Sequence, residues 1–265
     1  MHWPAENIWQ QVMTLGLPSL AAFSVEILPE IDSTNSELMR RARAGRTEPT
    51  LLIAERQTAG RGRMGRDWQS SAVDSLTFSL GLNLLPTSWE GLSLAVGTSV
   101  AQSLGAGIAL KWPNDLWWQS RKLAGILIET ASAAPAGGNS TRFAVIGIGI
   151  NIAARPADSD LRTPAAWLQE ISPASSAQSA LARLFLPLLT DLLEFERAGF
   201  AAFFARFATL DALRDTAVVL SDGQFGVARG VDHTGALLVH TPQSKELRLL
   251  RVASQEVSVR PQTTV

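Results

Sequence analysis

Two strand-like segments frame a loop of glycine and arginine, and this arrangement limits the possible folds more than any other part of the chain. Thr50-Leu51-Leu52-Ile53-Ala54-Glu55 reads as a buried strand. Leu76, Phe78, Leu80, Leu82 and Leu84 alternate strictly with Thr77, Ser79, Gly81 and Asn83, the period of a second strand. Between them, Gly60-Arg61-Gly62-Arg63-Met64-Gly65-Arg66-Asp67-Trp68 sets three arginines among three glycines. An Arg/Gly run by itself is often solvated, disordered or loosely bound to nucleic acid. Pinned at both ends to strands, it reads instead as a loop that wraps an anion. Glycine lets the backbone approach a ligand closely, and each guanidinium offers a planar fork of donors to phosphate or carboxylate.

The anion site has to be local. The formal net charge of the 265 residues is -1, so no global field draws in nucleic acid or an anionic membrane. Within 55–68, four arginines against Glu55 and Asp67 leave a local charge of +2. The chain has no cysteine, which excludes disulfides, thiolate metal sites and a thiol nucleophile. With no signal-peptide pattern and no apolar run of ~20 residues, the expected location is cytoplasmic, away from the membrane. A hydrophobic content of 46% suits one large core, or one core plus a small appended domain.

Along the chain, residues 1–24 hold one short amphipathic stretch (Ile8, Trp9, Val12, Met13). A capping box over Thr34-Asn35-Ser36-Glu37 predicts a helix that stops at Gly45. Leu92, Val96, Val100 and Leu104 recur every fourth residue up to Gly105, a core-facing helix. Strands are predicted at 107–112, 123–130 and 142–150. The stretch 131–141 reads as a surface loop, and 153–164 as a lid or a plain connector. Leu181, Leu184, Phe185, Leu188, Leu192 and Phe195 mark a helix over 175–198 with a kink at Pro187, followed by a short helix to about Leu213. Beyond Arg214 the texture becomes short β segments broken at Asp222-Gly223, His233-Thr234-Gly235 and Thr241-Pro242, consistent with a small barrel.

Four further elements accompany the arginine loop: Asp32-Ser33-Thr34-Asn35, Lys111-Trp112-Pro113-Asn114-Asp115, Lys122-Leu123-Ala124-Gly125-Ile126-Leu127 and Gly147-Ile148-Gly149-Ile150-Asn151. Singly, each has a structural explanation as a cap, a tight Pro-Asn turn, a basic residue before a buried strand, or a glycine-bearing core strand. In this order the five elements resemble the bacterial biotin protein ligase family, which carries S-T-N, Q-x-A-G-R-G-R-x-G-R-x-W, K-W-P-N-D, K-x-A-G-I-L and G-x-G-I-N. The resemblance runs from about Asp32 to the C-terminus. It implies an α+β fold. A mixed-sheet catalytic core over 25–214, like those of class II aminoacyl-tRNA synthetases and biotin–lipoate ligases, is followed by a small SH3-like β-barrel over 215–265, with 1–24 as an N-terminal extension.

The resemblance also implies chemistry. Family members use ATP and Mg²⁺ to convert biotin to biotinyl-5′-AMP, then pass the biotinyl group to a lysine of a biotin carboxyl carrier protein, such as an acetyl-CoA carboxylase subunit. By matched motif positions, Ser33, Thr34, Asn35 and Gln57 line the ring end of biotin. Gly60, Arg61, Gly62, Arg63 and Lys122, with Gly125, surround its carboxylate. Arg61, Arg63, Arg66, Trp68, Lys111, Asn114, Lys122, Gly149 and Asn151 meet the nucleotide. Trp167 is either an adenine stack or a buried structural tryptophan. Arg61, Lys111, Asp115 and Lys122 form the catalytic set, and Asp115 either holds Mg²⁺ or steers the acceptor amine. Met64 stands where many members have another arginine, which removes a charge from the loop. About thirty residues precede the first motif, too few for the winged helix-turn-helix of the ligase-repressors, so DNA binding is not expected; a homodimer is left open.

Rival readings separate on particular residues. Octanoyl transfer on a similar core uses a cysteine nucleophile, which this chain lacks. Lipoate-type ligation is chemically close, but such ligases do not usually carry the arginine–glycine loop followed by tryptophan. A nucleic-acid-binding protein would put interleaved aromatics on the small barrel, where Phe225 is the only one. A non-catalytic biotin sensor would have no use for Lys111, Asp115 and Lys122.

Overall fold

The computed structural model describes residues 3–71, 74–132, 141–154, 164–243, 246–252 and 259–261. The stretch 155–163, most of the suggested lid or connector, and 133–140 of the suggested surface loop lie outside the described residues. Seven strands form the main sheet: β1 (Ser24–Ile31), β2 (Thr50–Gln57), β3 (Ser75–Leu84), β4 (Ala109–Lys111), β5 (Asp115–Trp118), β6 (Arg121–Ser132) and β7 (Arg142–Asn151). Their spatial order is β1-β2-β3-β7-β6-β5-β4. Only β1 and β2 are parallel. A parallel pair needs a crossover, and helix α2 (Thr34–Arg43) supplies it.

Both faces of the sheet are covered, so β3 is buried at every position but Asn83. On one face lie α1 (Ala5–Thr14), α3 (Leu92–Leu104) and α5 (Ala177–Ala198), the last preceded in the chain by the one-turn α4 (Leu168–Ile171). There Leu76, Phe78 and Leu80 of β3 share a continuous core with Val96 and Val100 of α3 and Leu181, Leu184, Leu188 and Phe195 of α5. Pro187 lies inside α5, which runs on through it to Ala198. On the opposite face α2 is the helix that packs among the described residues, through Leu38 and Met39, against Leu52, Phe143 and Val145.

Several boundaries differ from the sequence reading for physical reasons. The cap of α2 is Ser33, not Thr34: Ser33 Oγ accepts from the Ser36 amide at 3.3 Å. Thr34 is drawn away by Gln57 and Ser79, and Glu37 pairs with Arg40 and Arg41 instead of closing a box. The strand expected at 107–112 is only Ala109–Lys111, because Trp112, Pro113 and Asn114 turn the chain into β5, a strand not foreseen. In the N-terminal stretch Ile8 and Val12 point inward while Trp9 is 41% exposed; its place is taken by Trp3, whose indole donates to Glu55 Oε1 at 3.1 Å. The expected short helix up to Leu213 is a 3₁₀ turn, Phe200–Ala202, plus α6 (Phe204–Ala208), with a turn beyond.

The second sheet comprises β8 (Ala217–Leu220), β9 (Phe225–Val231), β10 (Leu237–Gln243), β11 (Glu246–Val252) and β12 (Val259–Pro261), all antiparallel, in the order β11-β10-β9-β8-β12. This fits an SH3-like unit. The break expected at Thr241-Pro242 falls inside β10; β9 pairs with Leu237, Val239 and His240 and does not extend to the proline. Val218, Leu220, Leu237 and Val259 continue the main core, and Trp112 Nε1 donates to the Gly235 carbonyl at 3.0 Å.

Candidate active site

On the α2 face of β7, the residues shrink along the strand from Phe143 and Val145 to Gly147 and Gly149. A β-carbon at Gly147 would strike the Asn35 amide, and one at Gly149 the Trp68 indole. Gly125, paired with Gly149 across β6 and β7, extends the same bare floor. The result is an open cleft enclosing about 900 Å³, mouth included, with Thr77 and Leu127 on its walls and Val259 of β12 reaching in from the small sheet.

One end of the cleft is polar and nearly uncharged. It is built by Ser33, Thr34 and Asn35 at the start of α2 and by Gln57 at the end of β2. Thr34 donates its amide to Gln57 Oε1 at 2.8 Å, and its hydroxyl lies 2.7 Å from Ser79 Oγ. Ser79 also reaches Asn35 Oδ1 at 2.6 Å, and Asn35 Nδ2 donates to the Leu127 carbonyl and to Glu129 Oε2.

The other end is cationic. Lys111, Asn114 and Asp115 come from the β4–β5 turn, and Lys122 from β6. Arg61, Gly62, Arg63, Arg66 and Trp68 come from the arginine loop. The loop is an ordered hairpin: Arg61 bridges to Asp67, and Trp68 N donates to the Gly60 carbonyl at 2.8 Å. Met64 sits at its tip with φ 56° and 64% exposure. Lys122 Nζ meets Asp115 at 2.7 Å, and Arg63 Nη1 donates to Asn114 Oδ1 at 3.2 Å. Burial pulls the Arg63 guanidinium below its usual range; nearby Asp115 opposes that effect and Arg66 adds to it. Arg61 leans outward onto Glu129 at 3.0 Å and Ser36 at 3.2 Å. The Trp68 indole lies beside Gly149 and Gly125, with Lys122 Nζ 5.8 Å from its ring, and its buried N–H has no hydrogen-bond partner.

Three residues expected at the site do not line the cleft. Gly60 lies behind it, where a β-carbon would run into the Trp68 carbonyl and come 2.9 Å from Gln57 Nε2. Asn151 donates to the backbone carbonyls of Lys122 and Ala166 and so braces β6. Trp167 stands against Arg121, whose guanidinium is 6.0 Å from its ring. Sequence reasoning missed Ser79 and Glu129. Ser79 is one of the polar positions of an alternating strand, and Glu129 belongs to no motif.

Mg²⁺ prefers near-octahedral oxygen ligands and is usually held by one or two carboxylates together with substrate phosphates. The cleft lining offers two, Asp67 and Asp115, the latter paired with Lys122 at 2.7 Å, and no group of three acidic or imidazole side chains converges among the described residues, so the chain could supply only part of such a coordination shell.

Comparison with known proteins agrees with this geometry. Residues 28–151 match the model of the Biotin/lipoate A/B protein ligase family. The Escherichia coli bifunctional ligase/repressor BirA is 38% identical, over 84% of this chain and 71% of that protein. The biotin–[acetyl-CoA-carboxylase] ligase of Mycobacterium tuberculosis is 34% identical, over 80% of this chain and 82% of that protein. Among solved structures, the biotin protein ligase from Aquifex aeolicus in complex with biotin and ATP superposes with a TM-score of 0.73 at 27% identity, covering 90% of this chain and 99% of that one. A bare glycine floor between a polar end and a cationic end, on a fold shared with these enzymes, identifies the chain as a member of the biotin protein ligases within the biotin/lipoate A/B protein ligase family.

Proposed function

We propose that this chain is an ATP-dependent biotin protein ligase that forms biotinyl-5′-AMP and transfers the biotinyl group to a lysine of a carboxylase's biotin carrier. The observation that carries this reading is the single cleft joining the Ser33–Asn35 and Gln57 end to the Arg63, Lys111 and Lys122 end. An elongated ligand with a polar uncharged head and a carboxylate tail fits that polarity, and a polyphosphate fits beyond the tail.

In the first step a biotin carboxylate oxygen attacks the α-phosphorus of ATP, the bond to the bridging oxygen breaks, and pyrophosphate leaves. Two anions must be brought together, so fixed positive charge is the chief requirement. Lys122 and Arg63 serve the carboxylate and α-phosphate. Lys111 and Arg66 serve the remaining phosphates, while Asn114 orients Arg63. Arg61 swings from Glu129 onto the adenylate, and Trp68 closes over the glycine floor. Mg²⁺, when bound, would add positive charge beside the phosphates that Lys111 and Arg66 serve.

In the second step the carrier's lysine amine attacks the acyl carbon, AMP leaves, and the amine must shed a proton. Asp115, beside Lys122 at the cleft wall, receives or steers that amine. The acetyl-CoA carboxylase carrier subunit is the natural acceptor, given the activity named for the mycobacterial relative.

The test is ATP-dependent incorporation of biotin into a purified biotin carrier domain, with lipoate and octanoate as competitors. Biotinylation that requires ATP and Mg²⁺ and resists both competitors is the expected result; transfer of lipoate in place of biotin would overturn the reading.

A further inference from the structure

Glu129 lies outside the cleft lining and outside every motif, yet it touches both ends of the ligand site. We propose that Glu129 is a positioning residue that sets the proton order of the polar end, and so makes that end select a head group rich in N–H donors. This inference rests on the biotin reading of the cleft.

The order follows from counting protons. The Glu129 carboxylate, paired with Arg61 at 3.0 Å, can only accept. Its Oε2 takes one Asn35 amide proton at 3.1 Å, and the Leu127 carbonyl takes the other at 3.2 Å. With both protons spent, Asn35 cannot turn over without setting its oxygen against two acceptors. Asn35 Oδ1 therefore faces Ser79, 2.6 Å away, and Ser79 has to donate to it. Ser79 has a single proton, so its 2.7 Å contact with Thr34 requires the Thr34 hydroxyl to donate. Gln57 Oε1, already served by the Thr34 amide at 2.8 Å, also accepts from the Thr34 hydroxyl at 3.1 Å, so the one hydroxyl proton is shared between Gln57 and the closer Ser79 at 2.7 Å and is spent on the protein.

Thr34 Oγ1 thus meets the cleft with lone pairs only. A ureido ring supplies N–H donors to such a wall, whereas a dithiolane ring supplies none. Glu129 is four links away from the ligand, through Asn35, Ser79 and Thr34, and acts by orientation.

The experiment titrates biotin into the full chain by calorimetry, with Glu129→Gln and Ser79→Ala beside the parent protein, and follows the KM for biotin and for ATP in the coupled reaction. Glu129→Gln removes the obligate acceptor. Ser79→Ala cuts the relay while leaving the Arg61–Glu129 pair intact. Both should weaken biotin binding by about tenfold, the scale of one charge-assisted or buried hydrogen bond, with the KM for ATP unchanged. Normal biotin affinity in Ser79→Ala would overturn the proposal even if Glu129→Gln is weak, because Arg61 alone would then explain the latter. Lower melting temperatures with unchanged biotin affinity in both would overturn it as well. Failure of the parent protein to bind biotin would refute the ligase reading itself.

Discussion

A β-carbon placed on Gly149 would stand 2.5 Å from Cζ2 and 2.7 Å from Nε1 of Trp68, so the indole keeps its place only because position 149 has no side chain. Gly149→Ala should displace the ring, at an overpacking cost of about 1–3 kcal/mol. The expected outcome is a folded protein whose kcat/KM for biotin falls by at least about tenfold, checked by steady-state kinetics beside a thermal melt.

Removing a cation from the far end should hurt chemistry more than folding. Arg61 is about half-exposed and Lys122 less so, at 29%, and exposed ion pairs stabilise by about 0–1 kcal/mol. Lys122→Ala should slow adenylate formation by roughly a hundredfold, the scale of losing a preorganised charge at a reacting centre. Arg61→Ala should act on adenylate retention, with faster release of the intermediate. Pyrophosphate release measures the first effect and dissociation of preformed biotinyl-5′-AMP the second. A folded Lys122→Ala protein with unchanged activity would remove that residue from the site.

Asp115 separates the two half-reactions. Asp115→Ala should retain pyrophosphate release from biotin and ATP yet lose transfer to the carrier. A single turnover started from preformed adenylate shows this directly, and normal transfer there would refute the role given to Asp115.

The small sheet carries an acid-sensitive joint. Burial works against ionisation of Asp232, but hydrogen bonds from Thr234, Arg251 and the Ala236 amide outweigh it and hold the carboxyl down at about 2, from an ordinary 3.8. A depressed folded pKa means that the stabilisation is present above the ordinary value and is lost as pH falls toward 2. Denaturant melts of Asp232→Asn should therefore lie below those of the parent at neutral pH and converge with them between pH 4 and 2.

Legibility in the sequence followed the range of the interactions. The strands β2 and β3 and the helix α3 carry their own periodicity, and α3 ends at its glycine as expected. The motif residues of the cleft announce themselves by local spacing. What could not be read depends on partners far along the chain. Ser33 rather than Thr34 caps α2 because Ser79, 45 residues beyond Thr34, claims the threonine hydroxyl. Asn151 sits in a motif but serves the backbone of Lys122, 29 residues away. Strand β1 was missed because Glu26, Pro29 and Glu30 break its apolar pattern, which an edge strand paired only to β2 tolerates.

Val259 reaches the cleft from β12, a strand of three residues paired to β8. One apolar contact of the ligand's enclosure is therefore held by the small sheet and not by the main one. A change at the β8–β12 seam reaches the cleft through Val259 without altering any group that touches the chemistry.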